Sequence, residues 1–125
     1  MSEVKVLKIG IASREDMKRR TIAIAKGERK REPDEPQVWF SSFESLAKVL
    51  SERNMLLLEI IRKAQPQSFA ELAKTSGRHK SNLSRTLHSM ERLGLVELVD
   101  GVRGRKMPRL RYDAVRFEGE FSAVA

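Results

Sequence analysis

Val4 to Ile11 (VKVLKIGI) is β-branched and apolar with interspersed lysines, which predicts a strand whose alternation slips near Leu7. Ser13 stands three residues before Asp16, a capping-box-like start for a helix that runs to about Lys26 and stops at Gly27. Met17, Thr21 and Ile24 make only a thin stripe along it, so this helix is expected to be half exposed and to need a partner. The following stretch, ERKREPDEP at 28–36, sets two prolines among charged residues. Such a segment resists helix and reads as a linker that buries nothing.

From Val38 the pattern turns helical. Ser41 is expected to cap a short helix with Glu44 at its third position and Phe43, Leu46, Ala47 and Leu50 facing inward. Trp39 and Phe40, just before it, are expected to staple that helix to the core. Ser51 starts a second helix carrying Met55, Leu56, Leu58 and Ile61, widened by Leu57 and Ile60, which ends before Pro66. Ser68 and Glu71 (SFAE) form a capping box for a third, with Phe69, Leu72 and Ala73. After a break at Ser76–Gly77, a fourth helix runs from about His79 to Leu93 and stops at Gly94. Leu95 to Val99 is then β-rich, Asp100-Gly101 marks a turn, and Gly104 sits in a basic loop (VRGRK). Leu110 and Tyr112 alternate on a returning strand that extends to Phe117, with Arg109 and Arg111 on its other face. The strands at 4–11 and near 109–118 both have edges needing partners and are expected to pair, between subunits if not within one chain.

These elements predict an α+β fold, mainly α. Residues 1–32 form a strand–helix arm for dimerisation or partner binding, 33–37 a linker, 38–118 the main domain and 119–125 a tail. Composition narrows the chemistry. The 125 residues hold no cysteine, which excludes a disulfide framework, a thiol nucleophile and cysteine-based zinc sites. His79 and His88 are out of phase and lack carboxylate company, no phosphate-binding glycine motif occurs, and nothing singles out a catalytic triad. No enzyme, cofactor or metal is therefore expected. No apolar run approaches the ~18 residues of a membrane span, and no signal-peptide core opens the chain, so a cytoplasmic protein without membrane contact is expected.

Charge changes the picture most. The net charge is +8, from 25 Lys and Arg against 17 Asp and Glu. It concentrates as a local +6 in residues 65–112 and +4 in residues 14–32, around a near-neutral middle. Two basic segments of this kind suggest a face that meets phosphate.

Within the main domain, Ala73 is small enough to lie under a helix crossing, Gly77 can take the left-handed backbone of a tight turn, and Leu83 can point back into the core. That spacing matches helix-turn-helix regulators. With the hairpin behind it, and above all the Leu-Gly-Leu-Val joint at 93–96 and the segment ELAKTSGRHKSNLSRTLHSMERLGLVE, the region 40–112 resembles the winged helix-turn-helix domain of MarR-like regulators. It is similar to small predicted transcriptional regulators of bacteria and archaea, some of which resemble antitoxins encoded beside a toxin. The resemblance implies a sequence-specific double-stranded-DNA-binding regulator, a repressor acting as a homodimer, with an autoregulating antitoxin and its cognate toxin partner as a specialised form. MarR-like proteins flank the domain with long dimerisation helices; here a strand, a helix and a charged linker precede it, so that dimer geometry does not carry over.

At about 100° per residue, Leu87 and Met90 fall within about 40° of Leu83, while Ser81, Arg85, His88 and Arg92 lie opposite. A helix entering the major groove reads bases with its N-terminal half, which here holds Lys80, Ser81, Asn82, Ser84 and Arg85. Arg85 has the fork for guanine O6 and N7, and Asn82 the donor–acceptor pair for adenine. His88 and Arg92, further along, are expected to meet phosphate, as is the helix capped by Ser68. Arg103, Arg105, Lys106 and Arg109 of the hairpin suit a minor groove or the backbone, and Arg78 and His79 complete the DNA-contacting set. The competing readings are a winged-helix protein-interaction module and a sequence-indifferent nucleic-acid binder.

Overall fold

A computed structural model describes residues 4–119. Among these residues the fold is α+β, roughly half helical, with five α-helices and two small sheets. Its described residues divide into two units, one of residues 6–48 and 114–119, the other of residues 4–5 and 49–113.

The first unit is built on β1 (Val6–Ile11). Leu7 and Ile9 alternate onto one buried face, each 1% exposed. β1 takes a strand on each edge, β2 (Val38–Phe40) and β5 (Ala114–Glu118), both parallel to it, in the order β2-β1-β5. Parallel neighbours require a crossover, and α1 (Arg14–Ala25) supplies the one between β1 and β2. Ser13 caps α1 by accepting from the Asp16 amide at 3.1 Å, as its spacing predicts. No residue of α1 is fully buried. α2 (Phe43–Val49) follows β2.

Several expectations change in this unit. Residues 38–48 group with β1 and α1, not with the helices after them, and the strand beginning at Val38 is the reason. The 28–36 stretch is tethered rather than free. Glu35 is bonded to Arg20 and Arg29, the Lys8 ammonium donates to the Asp34 carbonyl, and the Gln37 amide donates to the Lys8 carbonyl at 2.9 Å. Its charges find partners across the unit, which a count of charges along the chain does not reveal. The Arg20 bond, joined by Arg29 and working against burial, holds the Glu35 carboxyl below the usual range. The Trp39 ring lies over Gly10 of β1 and under the guanidinium of Arg20 of α1, 5.3 Å from the ring centre. Ser42, not Ser41, caps α2 by accepting from the Ser45 amide at 3.1 Å. Phe43 is 67% exposed and Ala47 is exposed, because only Leu46 on this short helix reaches the core. The returning strand does not run to Phe117 either. It ends at Leu110, and 114–118 is a separate strand that pairs with β1 inside the same chain.

The second unit is three helices and a hairpin. α3 (Glu52–Ala64) is capped by Ser51, α4 (Phe69–Ser76) by Ser68, and α5 (Lys80–Arg92) begins after His79. Glu71 reaches back to the Gln67 amide rather than to that of Ser68 itself. Gly77 ends α4 at φ 74°, the left-handed conformation expected of the turn. β3 (Val96–Asp100) and β4 (Lys106–Leu110) pair antiparallel, joined by a 3-10 turn at Val102–Gly104. Leu57, Ile61, Leu72, Leu83, Leu87, Met90 and Val96 form the core, none more than 1% exposed. Met55 and Leu56, expected on the apolar face of α3, are 42% and 56% exposed, since Leu57, Leu58 and Ile61 occupy the buried side.

A β-carbon at Gly10 would stand 2.6 Å and 2.7 Å from Trp39 ring atoms and 2.9 Å from Pro36. Gly10→Ala is therefore expected to destabilise the parallel-sheet unit by about 1–3 kcal/mol. Trp39 is the sole tryptophan, so its fluorescence during urea unfolding follows this unit; an unchanged midpoint would refute the close-packing account.

Candidate nucleic-acid interface

The rotation of α5 about its own axis is fixed by its apolar seam. Leu83 and Leu87 are fully buried and Met90 is 1% exposed. The far side is consequently solvent-facing: Lys80, Ser81, Asn82, Arg85, His88 and Arg92 are exposed and Ser84 is half-buried. No acid interrupts that face. His79 occupies the cap position but makes no side-chain capping bond, so the first-turn amides of α5 keep no side-chain acceptor there.

Exposure alone does not make a side chain available. Arg78 is engaged inside the unit. Its Nε and Nη2 donate to Asn82 Oδ1 at 3.0 Å and 2.6 Å, its Nη1 donates to Asn54 Oδ1 at 3.0 Å, and its Nη2 also reaches Thr86 Oγ1 at 3.2 Å. The guanidinium thus ties α5 to α3. Burial, and then the charge of Arg53, press its pKa below the usual arginine value. Arg78, expected at the DNA, is thus engaged within the unit in this structure. The same bonds qualify Asn82, whose carbonyl oxygen is occupied twice, leaving only its amide hydrogens for another partner.

Arg109, also expected at the DNA, is engaged within the unit as well. Its Nη1 donates to the carbonyls of Pro66 at 2.7 Å and Pro108 at 2.8 Å, and Nη2 lies 3.8 Å from Met107 Sδ. It fastens the hairpin to the α3–α4 turn, where Pro66 and Pro108 are themselves buried. His88 Nδ1 donates to the Ser84 carbonyl at 2.6 Å, and the ring meets Phe69 edge-on, 6.2 Å between centres. Its Nε2 is left to face outward chemistry. Arg92 donates to Ser89 Oγ at 3.1 Å.

The hairpin divides its cations. Lys106 is paired with Asp100, directly opposite in the register, at 2.5 Å. That hydrogen bond and charge raise the Lys106 pKa above the usual lysine value. Arg103 and Arg105 are exposed with no carboxylate within 4.0 Å among the described residues, and the same holds for Lys80 and Arg85. Arg103 adopts φ 60°, ψ 30°, so the tip bends sharply just before Gly104. A shallow cavity of about 310 Å³ joins these parts. Ser68, Phe69 and Ala70 at the start of α4, Lys80 at the start of α5, and Arg105 and Lys106 of the hairpin line it. Ser68 Oγ accepts from the Glu71 amide at 3.1 Å and holds that helix start in place. The arrangement is a basic notch at two helix starts, chemically suited to an oxyanion.

Two participants were not foreseen from sequence. Asn54 anchors Arg78 from 24 positions away, and Arg53 adds its charge beside it. Neither carries a local signal, since both stand on a helix whose pattern reports only burial. Among the described residues no group of three or more His, Asp or Glu side chains is placed to hold a metal ion, and no helix is long and apolar enough to cross a membrane.

No curated protein and no solved structure matches the chain. The model of one family, HVO_A0114, matches residues 49–117, which takes in α3, α4 and α5, the hairpin and most of β5. With more than half of its length so matched, the chain belongs to the HVO_A0114 family.

Proposed function

We propose that the protein is a sequence-specific double-stranded-DNA-binding transcriptional regulator. Residues 49–113 act as a winged helix-turn-helix of the MarR-like kind, with α5 in the major groove and β3–β4 as the wing. One observation carries the reading: the outward face of α5 holds no acid and continues into a notch where Lys80 and Arg105 have no carboxylate partner. A merely solvated face gains nothing from leaving cations unpaired at two helix starts.

The roles follow from what remains available. Arg85 grips guanine O6 and N7 with two hydrogen bonds. Ser81 and Lys80 stand beside it at the N-terminal end of α5, where bases come within reach. A backbone phosphate sits in the notch against Lys80, Arg105 and the first amides of α4. Arg103, at the bent tip, enters the minor groove or follows the backbone. Asn82 reads adenine only if Arg78 lets go of its carbonyl oxygen, so its first role is to stiffen the helix start. Bound at an operator as a dimer, the protein blocks polymerase.

A mobility-shift assay with a duplex selected from a randomised pool, a random duplex and a structured RNA tests this. Preference for the selected duplex is expected. No shift at low salt overturns the reading in favour of a protein-interaction module, and equal shifts point to a sequence-indifferent binder. If each subunit meets roughly four phosphates, log K against log salt should slope at about −7 for the dimer.

Replacing single residues separates their roles. Arg85→Ala should cost on the order of 1–3 kcal/mol of binding and relax preference at one base position, whereas Arg105→Ala should weaken all duplexes alike and flatten the salt slope. Competition binding against single-base variants of the selected site distinguishes the two, and uniform weakening by Arg85→Ala would remove it from base reading.

Arg78→Ala is expected to act on the fold instead, lowering unfolding free energy by about 1–3 kcal/mol in urea followed by far-ultraviolet circular dichroism. Unchanged stability would mean that the Asn54–Arg78–Asn82 bridge ties nothing together.

A further inference from the structure

We propose that the free edge of β5 is a homodimer interface, where two copies join their three-stranded sheets into one six-stranded sheet by antiparallel pairing about Phe117. The inference concerns the parallel-sheet unit and is independent of DNA binding.

Among the described residues β5 is paired on one side only, with β1, and it is exposed along nearly its whole length. Such an edge is a template for another strand unless something blunts it. β5 has no proline and no bulge. The parity of its backbone groups can be worked out. Lys8 turns both its amide and its carbonyl towards Gln37, on the β2 side. Leu7 and Ile9 therefore address β5. In the observed register, with Lys8 beside Arg116 and Gly10 beside Glu118, the amides and carbonyls of Ala114, Arg116 and Glu118 point to β1. Those of Val115, Phe117 and Gly119 point to the open edge.

An antiparallel second copy must match faces, which leaves a choice of registers two residues apart. Centring the two-fold axis on Arg116 would set two like charges opposite each other, which is unfavourable. Centring it on Phe117 makes every pairing complementary. Phe117 then exchanges both backbone hydrogen bonds with its symmetry mate, and Val115 does so with Gly119. Arg116 falls opposite Glu118 of the other copy, twice, at the non-hydrogen-bonded positions where side chains approach closest. Glu118 is 49% exposed at its side chain and 3.4 Å from Lys8, so it would bridge its own sheet and the incoming strand.

The apolar side agrees. Phe117 is 49% exposed and Phe43 67% exposed, and a β-carbon at Gly119 would lie 3.7 Å from the Phe43 ring. Two aromatic rings thus stand near the same edge, on the face that carries Val115. The symmetric strand brings the two Phe117 rings together there and covers surface that a monomer leaves wet. The opposite edge, β2, spans three residues and has far less to donate.

Sedimentation velocity on the full chain, without DNA, tests the interface. The wild type is expected to sediment as a dimer at micromolar concentration. Arg116→Glu places four carboxylates at the junction while setting an acid beside Lys8 in its own sheet, so the fold is kept and the dimer should weaken by on the order of tenfold or more. Glu118→Arg should do the same by the opposite charge. Mixed in equal amounts, the two variants become complementary and should form a heterodimer. Trp39 fluorescence and circular dichroism check that each variant is folded. A monomeric wild type, a dimer indifferent to both reversals, or a failure of folded variants to combine on mixing would overturn the proposal. A monomer that still shifts a selected duplex would sink the interface and leave the DNA reading standing.

Discussion

Three side chains of α5 decide what the rest of the helix can do. Leu83, Leu87 and Met90 are removed from water almost completely, and burying each is worth about 1.5–3 kcal/mol. Turning the helix by a single residue would expose that seam and bury polar groups in its place. The rotation is therefore stiff, and the direction in which Arg85, Ser81 and Lys80 leave the surface is set by groups that face the other way. The positive φ of Gly77 sets the angle at which α4 hands the chain to this helix. Availability of the outer face is a consequence of packing on the inner one.

A second set of interactions sorts the cations. Arg78, Arg109 and Lys106 are held by carbonyls, amide oxygens or a carboxylate, while Lys80, Arg85, Arg103 and Arg105 have no carboxylate partner among the described residues. The engaged ones stand at junctions: α3 with α5, the hairpin with the α3–α4 turn, one hairpin strand with the other. The unengaged ones stand at the α5 face and the hairpin tip. Arginine suits both jobs, because its planar fork satisfies several acceptors in one geometry and its charge never leaves. The same residue type thus fastens the scaffold and, in the proposed reading, meets the ligand.

Much of this was legible in the sequence. The caps at Ser13, Ser51 and Ser68, the stop at Gly77 and the seam of α5 are local signals, and local signals of spacing survive folding because helices carry their own hydrogen bonds. What could not be read was contact between distant positions. Arg109 looks like a hairpin cation until Pro66 is seen to turn its carbonyl towards it, 43 residues away. Asn82 looks like an adenine reader until Arg78 takes its oxygen. The stretch around Glu35 looks solvated until Arg20 and Arg29 close on it. In each case residue type is legible along the chain, while the partner that engages the residue lies elsewhere on it. The strand at 114–118 reads as a continuation of its predecessor for a related reason, since alternation marks a strand but not its neighbour.

β1 ties these observations to the parallel-sheet unit. It is the middle strand, so both its edges are consumed within the chain and its buried Leu7 and Ile9 hold the register. Every backbone group that β1 fixes on one side of β5 leaves its neighbour free on the other, because amide and carbonyl alternate in direction along a strand. The exposed edge is therefore not an accident of a short sheet; it is forced by the central strand that makes the sheet possible. A chain that builds a parallel sheet from three strands must leave two edges, and here the longer one carries alternating charge and an aromatic ring. The same backbone alternation that orders the inside of the unit dictates which residues a neighbouring chain would meet.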